Sequence, residues 1–225
     1  MLNMRSDEHS EAGSQIGRHP LFLFGGSLAT AAGIYALFRY RQHRLDMEAS
    51  YLAAIVGALN GTRIAEVGAG KGTMAFRIAR RLGPTGLLIA TDTDPSRVRA
   101  LRSKAAKLST KNVMALPGTP DGSELPPASC TGIYLRGAYH HLTHPSEMNR
   151  SLFEALRPGG VLAIIDFPPR WILAPWTPKG IPENRGGHGI DEALVIREVT
   201  HVGFRFLQNA GDWPNSMYCL VFQKP

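Results

Sequence analysis

Glu66, Gly68, Gly70, Gly72 and Asp92 are the residues whose types and spacing most directly suggest chemistry. A short apolar lead-in, Arg63-Ile64-Ala65-Glu66-Val67, runs into the turn Gly68-Ala69-Gly70-Lys71-Gly72. A helical pattern follows to about Leu82, and a second apolar run over 86–91 ends in Asp92. Glycines let a backbone turn sharply and approach a ligand with no Cβ in the way. An acid that ends the second strand accepts hydrogen bonds from ribose hydroxyls. The combination describes a nucleoside site. It departs from a dinucleotide fingerprint, which needs its third glycine where Thr73 stands; here that glycine is Gly72. A pyrophosphate calls for bare N–H groups at a helix N-terminus, whereas the carboxylate of Glu66 suits a cation.

The run from Glu66 to Gly72 resembles the acid-x-G-x-G-x-G motif of class I S-adenosylmethionine (SAM)-dependent methyltransferases, of the bacterial small-molecule type. The resemblance implies SAM as cofactor. Gly68, Gly70 and Gly72 would then form the turn beside its methionine part, with Glu66 near the ammonium. Asp92, with Thr93 beside it, would hold the ribose. In this family an acid in the loop after the third strand commonly meets the adenine amino group. In Gly118-Thr119-Pro120-Asp121 the nearest acid is Asp121, which the resemblance assigns that role; the alternative is a turn-forming Asp.

The fourth strand leads into Arg136-Gly137-Ala138-Tyr139-His140-His141-Leu142. Ligands of open α/β sheets bind outside the carboxyl ends of strands, so Tyr139, His140 and His141 are candidates for the acceptor side. A neutral histidine can take a proton from an attacking hydroxyl. Structural contacts of the same residues are the competing reading. Asp166, ending the fifth strand, could orient a histidine. The stretch from Trp171 to Pro178, with Arg185-Gly186-Gly187-His188, is too long for a simple connection and reads as a lid or substrate wall. His188 is a further candidate base.

The elements that must position these residues alternate. Strands are expected over 63–67, 86–91, 112–116, 131–135 and 161–165, with helices over 45–59, 72–82, 94–108, 145–156 and 190–202. Such alternation gives a parallel sheet with crossover helices. Two further strands, 203–207 and 218–222, follow too closely for a crossover and must pair antiparallel. The expected fold is α/β: a Rossmann-like seven-stranded sheet, mostly parallel with a C-terminal antiparallel hairpin and helices on both faces. The family resemblance spans about Leu45 to Lys224.

The chain has 225 residues, a formal charge of +7 and a pI near 9.7. Its arginines and lysines are spread over helix faces without interleaved aromatics, so no nucleic-acid partner is expected. Two cysteines, Cys130 and Cys219, exclude a disulfide framework. No metal-type spacing of ligands occurs, so no metal is expected. Residues 1–19 are a polar tail. Residues 20–38 carry no charge and would span roughly 27 Å as a helix, before the basic flank Arg39, Arg41 and Arg44. The expected domains are therefore a tail over 1–19, a transmembrane anchor with its flank over 20–44, and a methyltransferase domain over 45–225. A cleaved signal peptide and a helix packed on a domain or partner are the other readings of the anchor. The localisation expected is a single-pass membrane protein with a cytoplasmic catalytic domain, or else a soluble cytoplasmic protein.

The function implied is methyl transfer from SAM to an unidentified, hydrophobic small-molecule or lipid-like acceptor, with membrane contact through 20–38. Two alternatives belong to other classes: an NAD-dependent oxidoreductase and a non-catalytic SAM-binding module tethered to a membrane.

Overall fold

The computed structural model describes residues 21–170, 179–182, 188–211 and 213–225; of residues 21–29 only the backbone is described. The chain divides into two compact units, 1–43 and 44–225. One continuous helix, α1, runs through Leu21–Ile55 and belongs to both. The sequence reading broke this stretch into an anchor, a flank and a separate helix over 45–59. The structure joins them, because nothing between Arg39 and Asp46 breaks a helix. Among the described residues no helix is long and apolar enough to cross a membrane. The described residues thus do not support the single-pass anchor expected over 20–38. Pro20 and the side chains of 21–29, about half of that stretch, lie outside the description.

The second unit is a seven-stranded sheet in the order β3-β2-β1-β4-β5-β7-β6. The strands are β1 (Arg63–Val67), β2 (Leu87–Asp92), β3 (Val113–Pro117), β4 (Cys130–Arg136), β5 (Leu156–Asp166), β6 (Arg205–Asn209) and β7 (Tyr218–Gln223). The first five pair in parallel. β7 pairs antiparallel with both β5 and β6, as the short connection requires. The crossovers are α2 (Ala75–Ala79), α3 (Pro95–Lys107) and α4 (Pro145–Ala155), and α5 (Glu192–His201) precedes the hairpin.

Alternation along each strand divides the core between the two faces of the sheet. Ile64, Leu88, Ala90 and Tyr134 pack with Leu52 and Val56 of α1, Ile78 of α2, and Val98 and Leu101 of α3. Ala65, Ile89, Ile133 and Leu135 face the other way, against Met148 and Leu152 of α4 and Val195 and Val199 of α5. Capping chemistry fixes two helix starts. The Asp94 carboxylate accepts from the Ser96 N–H at 2.8 Å with Pro95 in the first turn, and Asp191 accepts from the Ala193 N–H at 2.9 Å.

Besides α1, the elements α2 and β5 differ most from the sequence reading. The helix expected from 72 is one short turn of α2 from Ala75, because the preceding glycines hold left-handed angles that no α-helix contains. β5 begins at Leu156 rather than 161. Arg157-Pro158-Gly159-Gly160 does not merely close α4: the Gly159 N–H donates to the Lys224 carbonyl and the Lys224 N–H to that of Gly160, both at 2.9 Å. The chain's end thereby extends the strand.

Candidate active site

β1 lies between β2 and β4, so the crossovers leave it on opposite sides, and a cleft opens where its carboxyl end meets theirs. A cavity of about 520 Å³ occupies that position. Glu66, Gly68 to Lys71, Asp92, Thr93, Gly118 to Pro120, Arg136 to Ala138 and His141 are among its lining residues.

The glycine turn follows directly from sequence. Gly68, Gly70 and Gly72 have φ of +76°, +54° and +68°, in the left-handed region. At Gly68 an added Cβ would come within 2.6 Å of the Ala138 Cβ, so the turn and the loop after β4 can close only around a bare backbone. At Gly70 an added Cβ would meet no atom within 4 Å, so that stretch of backbone faces open space in the cleft. The Asp92 carboxylate fixes the turn from the side. Its Oδ2 accepts from the Gly70 N–H at 2.8 Å and its Oδ1 from the Asp94 N–H at 3.0 Å. Arg97 Nη1 stands 3.7 Å from the same Oδ2.

Glu66 is buried at the floor of the cleft, where Tyr134 donates its hydroxyl proton to Oε2 at 3.1 Å. Desolvation pushes its carboxyl up to about 8, against the opposing pull of the Tyr134 hydrogen bond and the Arg136 charge; Asp92 adds slightly to the rise. A carboxyl in this setting gains by meeting a cation. Arg136 does not neutralise it, because its guanidinium is already engaged by Glu48: Nε to Oε1 at 2.5 Å and Nη2 to Oε2 at 2.9 Å. Trp213 Nε1 donates to the same Glu48 Oε1 at 2.8 Å. Glu48 is buried on α1, and sequence reading passed over it. The available signal was an acid beside Ala49 and Leu52 on the apolar face of an amphipathic helix.

The loop after β4 turns through a short 3-10 helix, Tyr139–His141, which sends Tyr139 one way and keeps the His140 and His141 rings together, 3.9 Å between centroids. Tyr139 leaves the cleft: it is fully buried in the core on the α4 side, where its hydroxyl donates to Glu198 Oε2 at 3.0 Å and accepts from Asn149 Nδ2 at 2.7 Å. His140 is also buried. Its N–H donates to Asp166 Oδ2 at 3.0 Å and its Nδ1 lies 2.8 Å from Asp166 Oδ1, while its Nε2 has no partner among the described residues. His141 is the one that lines the cleft. Burial, then the charges that His140 and His188 would carry, hold its imidazole down to about 4, so the ring is neutral near pH 7.

His188 joins this group, its ring centroid 4.8 Å from that of His140 and 5.6 Å from that of His141. Its Nδ1 is buried and likewise without a partner among the described residues. The three imidazoles offer nitrogens that all lie within 4.8 Å of one another. The absence of metal-type spacing in the sequence therefore did not foretell the arrangement, since the fold brings a distant loop residue against a His-His pair. Asp121 is exposed and is not among the residues lining the cleft, whereas its neighbours Thr119, Pro120 and Gly122 are. The lid expected from Trp171 to Pro178 and over 185–187 lies outside the described residues.

This geometry fits SAM. The Glu66 carboxyl suits an ammonium, the glycine turn gives close access to a chain of methionine size, and Asp92 stands at the end of β2, where a ribose would lie. Comparisons with known proteins agree. Residues 64–160 match the family model described as a methyltransferase domain. Two similar curated proteins are ubiquinone/menaquinone biosynthesis C-methyltransferases. The Pseudomonas putida (strain GB-1) protein is 25% identical over 112 residues, or 49% of this chain and 44% of that relative. The Pseudomonas aeruginosa (strain LESB58) protein is 26% identical over the same shares. The chain thus spans less than half the length of the curated relatives it matches. Among solved structures, a SAM-dependent methyltransferase from Aquifex aeolicus superposes with a TM-score of 0.67 at 22% identity, over 79% of this chain and 89% of that one. The [4+2]-cyclase SpnF superposes with a TM-score of 0.64 at 15% identity, over 80% and 81%. Likeness at these identities speaks for the fold alone, and the cyclase shows that the fold hosts more than one activity. Residues 64–160 thus carry a methyltransferase domain, and the motif, that match and the fold together support a SAM-dependent methyltransferase.

Proposed function

We propose that the protein transfers a methyl group from SAM to a hydrophobic small-molecule acceptor, of the quinone-like or lipid-like class. The observation that carries this reading is the cleft itself, where Glu66, the glycine turn and Asp92 line one part and His141 another. When bound, SAM supplies a methyl group already activated on a sulfonium sulfur. The work left to the chain is alignment and exclusion of water. Glu66 holds the ammonium, Asp92 with Thr93 the ribose, and the loop of Gly118, Thr119 and Pro120 the adenine. Asp121, exposed beside that loop and not among the residues lining the cleft, is given no part in holding the adenine. His141 presents a neutral ring to the acceptor, able to take a proton or to offer a lone pair. Tyr139 and His140 position the loop that carries it. The acceptor class draws support from the curated relatives, whose names place them in quinone biosynthesis.

Transfer of radiolabelled methyl from SAM to a panel of quinol and phenol acceptors tests the reading. His141→Ala is expected to lower the transfer rate by about 10²–10⁴ with unchanged SAM affinity. Equal loss of SAM binding would remove His141 from the acceptor side.

A second observation supports membrane contact. In the first unit the described helix exposes Ile34, Leu37 and Phe38 by 66%, 68% and 56%, beside Arg39 and Arg41. Apolar side chains next to arginines suit a negatively charged lipid surface. Co-sedimentation with vesicles containing phosphatidylserine is expected for the full chain, and its loss on deleting 1–43 would assign it to this segment.

A further inference from the structure

His140, His141 and His188 come together from two separate loops at the edge of the cofactor cleft, and we propose that they form a three-histidine site for a divalent transition-metal ion, zinc or a metal of similar ligand preference. Three observations carry this. The first is the donor set. Three imidazoles with nitrogens within 4.8 Å of one another match the three-protein-ligand arrangement that leaves a fourth position open. Tetrahedral zinc–nitrogen bonds would place the nitrogens about 3.4 Å apart, a closure of at most about 1.4 Å from the 4.8 Å spread.

The second is the pair of unpartnered nitrogens. His140 is 2% exposed, and its Nδ1 is taken by Asp166, so the Nε2 lone pair is what it can offer. That Nε2 and the His188 Nδ1 are both buried without a partner among the described residues. Buried polar atoms are nearly always satisfied, and two orphans within one cluster point to a shared partner.

The third is the support behind the ligand. Asp166 accepts from the His140 ring at 2.8 Å and from its backbone N–H at 3.0 Å. The same carboxylate also accepts from the Phe167 N–H at 2.9 Å, so it is itself held in place. A carboxylate behind a ligating histidine fixes the tautomer and aims the free nitrogen at the metal.

This inference rests on the methyltransferase reading in one respect: His141 lines the same cleft as the cofactor residues. An ion held here would present its open position to the acceptor side, and would select acceptors with an oxygen or nitrogen donor beside the atom that is methylated.

The test uses the full chain without a histidine tag, stripped with chelator and then titrated with Zn²⁺ by calorimetry and with Co²⁺ by visible absorption. One equivalent of Zn²⁺ with Kd near or below about 1 µM, and the intense d–d bands of tetrahedral Co²⁺, are expected. His140→Ala and His188→Ala should each weaken binding by at least about 10-fold, and Asp166→Asn by about 10–100-fold. His188 is half-buried outside the strands and helices, so its variant remains informative if the buried His140 variant fails to fold. S-adenosylhomocysteine titrations on the same samples keep the two readings apart. Cofactor binding without metal binding overturns the metal site alone, and metal binding without cofactor binding overturns the methyltransferase reading. Metal binding that survives in His188→Ala and Asp166→Asn assigns the ion to surface ligands and refutes the proposal.

Discussion

Glu66 is the residue on which the cofactor reading turns. The folded protein keeps a proton on it up to about pH 8, whereas its ordinary value is near 4.5. Between those values the folded state binds more protons than the unfolded chain. The stability linked to Glu66 is therefore full below about pH 4.5 and is lost as pH rises through about 8. Glu66→Gln should flatten this part of the profile, read from urea midpoints across the range; an unchanged slope would show that other groups cause it. The same carboxyl must ionise to meet an ammonium. Cofactor binding near pH 7 should then release a proton, seen as a dependence of binding enthalpy on the ionisation enthalpy of the buffer, and Glu66→Gln should abolish the release. The sequence showed Glu66 as a motif acid but not its buried Tyr134 partner, because the contact joins neighbouring strands that only the sheet brings together.

At the scale of elements, local signals were read well and long-range ones poorly. The strand-turn-strand unit from Arg63 to Asp92 was legible because glycine spacing and apolar runs are local. The closing hairpin was legible from the shortness of its connection. The join of α1 was not, because hydropathy changes at Arg39 while helix propensity does not. Nor was the role of Glu48, which links α1 to the end of β4 through Arg136 and to Trp213. Glu48 is 1% exposed and the Arg136 side chain 24%. Removing the acid leaves a half-buried guanidinium and an indole N–H without their acceptor. Glu48→Ala should cost about 3 kcal/mol in chemical denaturation. A loss below about 0.5 kcal/mol, the scale of a surface substitution, would show that water replaces the carboxylate. The loop after β4 gave the sharpest lesson. Its Tyr-His-His run promised three acceptor-side groups, but one turn of 3-10 helix sends Tyr139 away from the two histidines and gives each histidine its own surroundings. Tyr139 enters the core, His140 turns to Asp166, and His141 alone lines the cleft.

For the molecule as a whole, every residue lining the cleft belongs to the unit from 44 to 225. Among the described residues the first unit contributes an exposed apolar and basic helix face and none of the site's lining residues. The fold class was legible from alternation and spacing. The glycine turn and Asp92 at the head of the cleft were legible from the motif, and the histidine cluster was not, because His188 reaches it only through the folded chain. The fold is shared with a cyclase as well as with methyltransferases, so cofactor identity has to be measured directly. Calorimetric titration of the full chain with SAM, S-adenosylhomocysteine and NAD in parallel does this. Micromolar binding of SAM and S-adenosylhomocysteine, with none of NAD, is the expected result. Binding of NAD alone, or of none of the three, would contradict the assignment of the cleft.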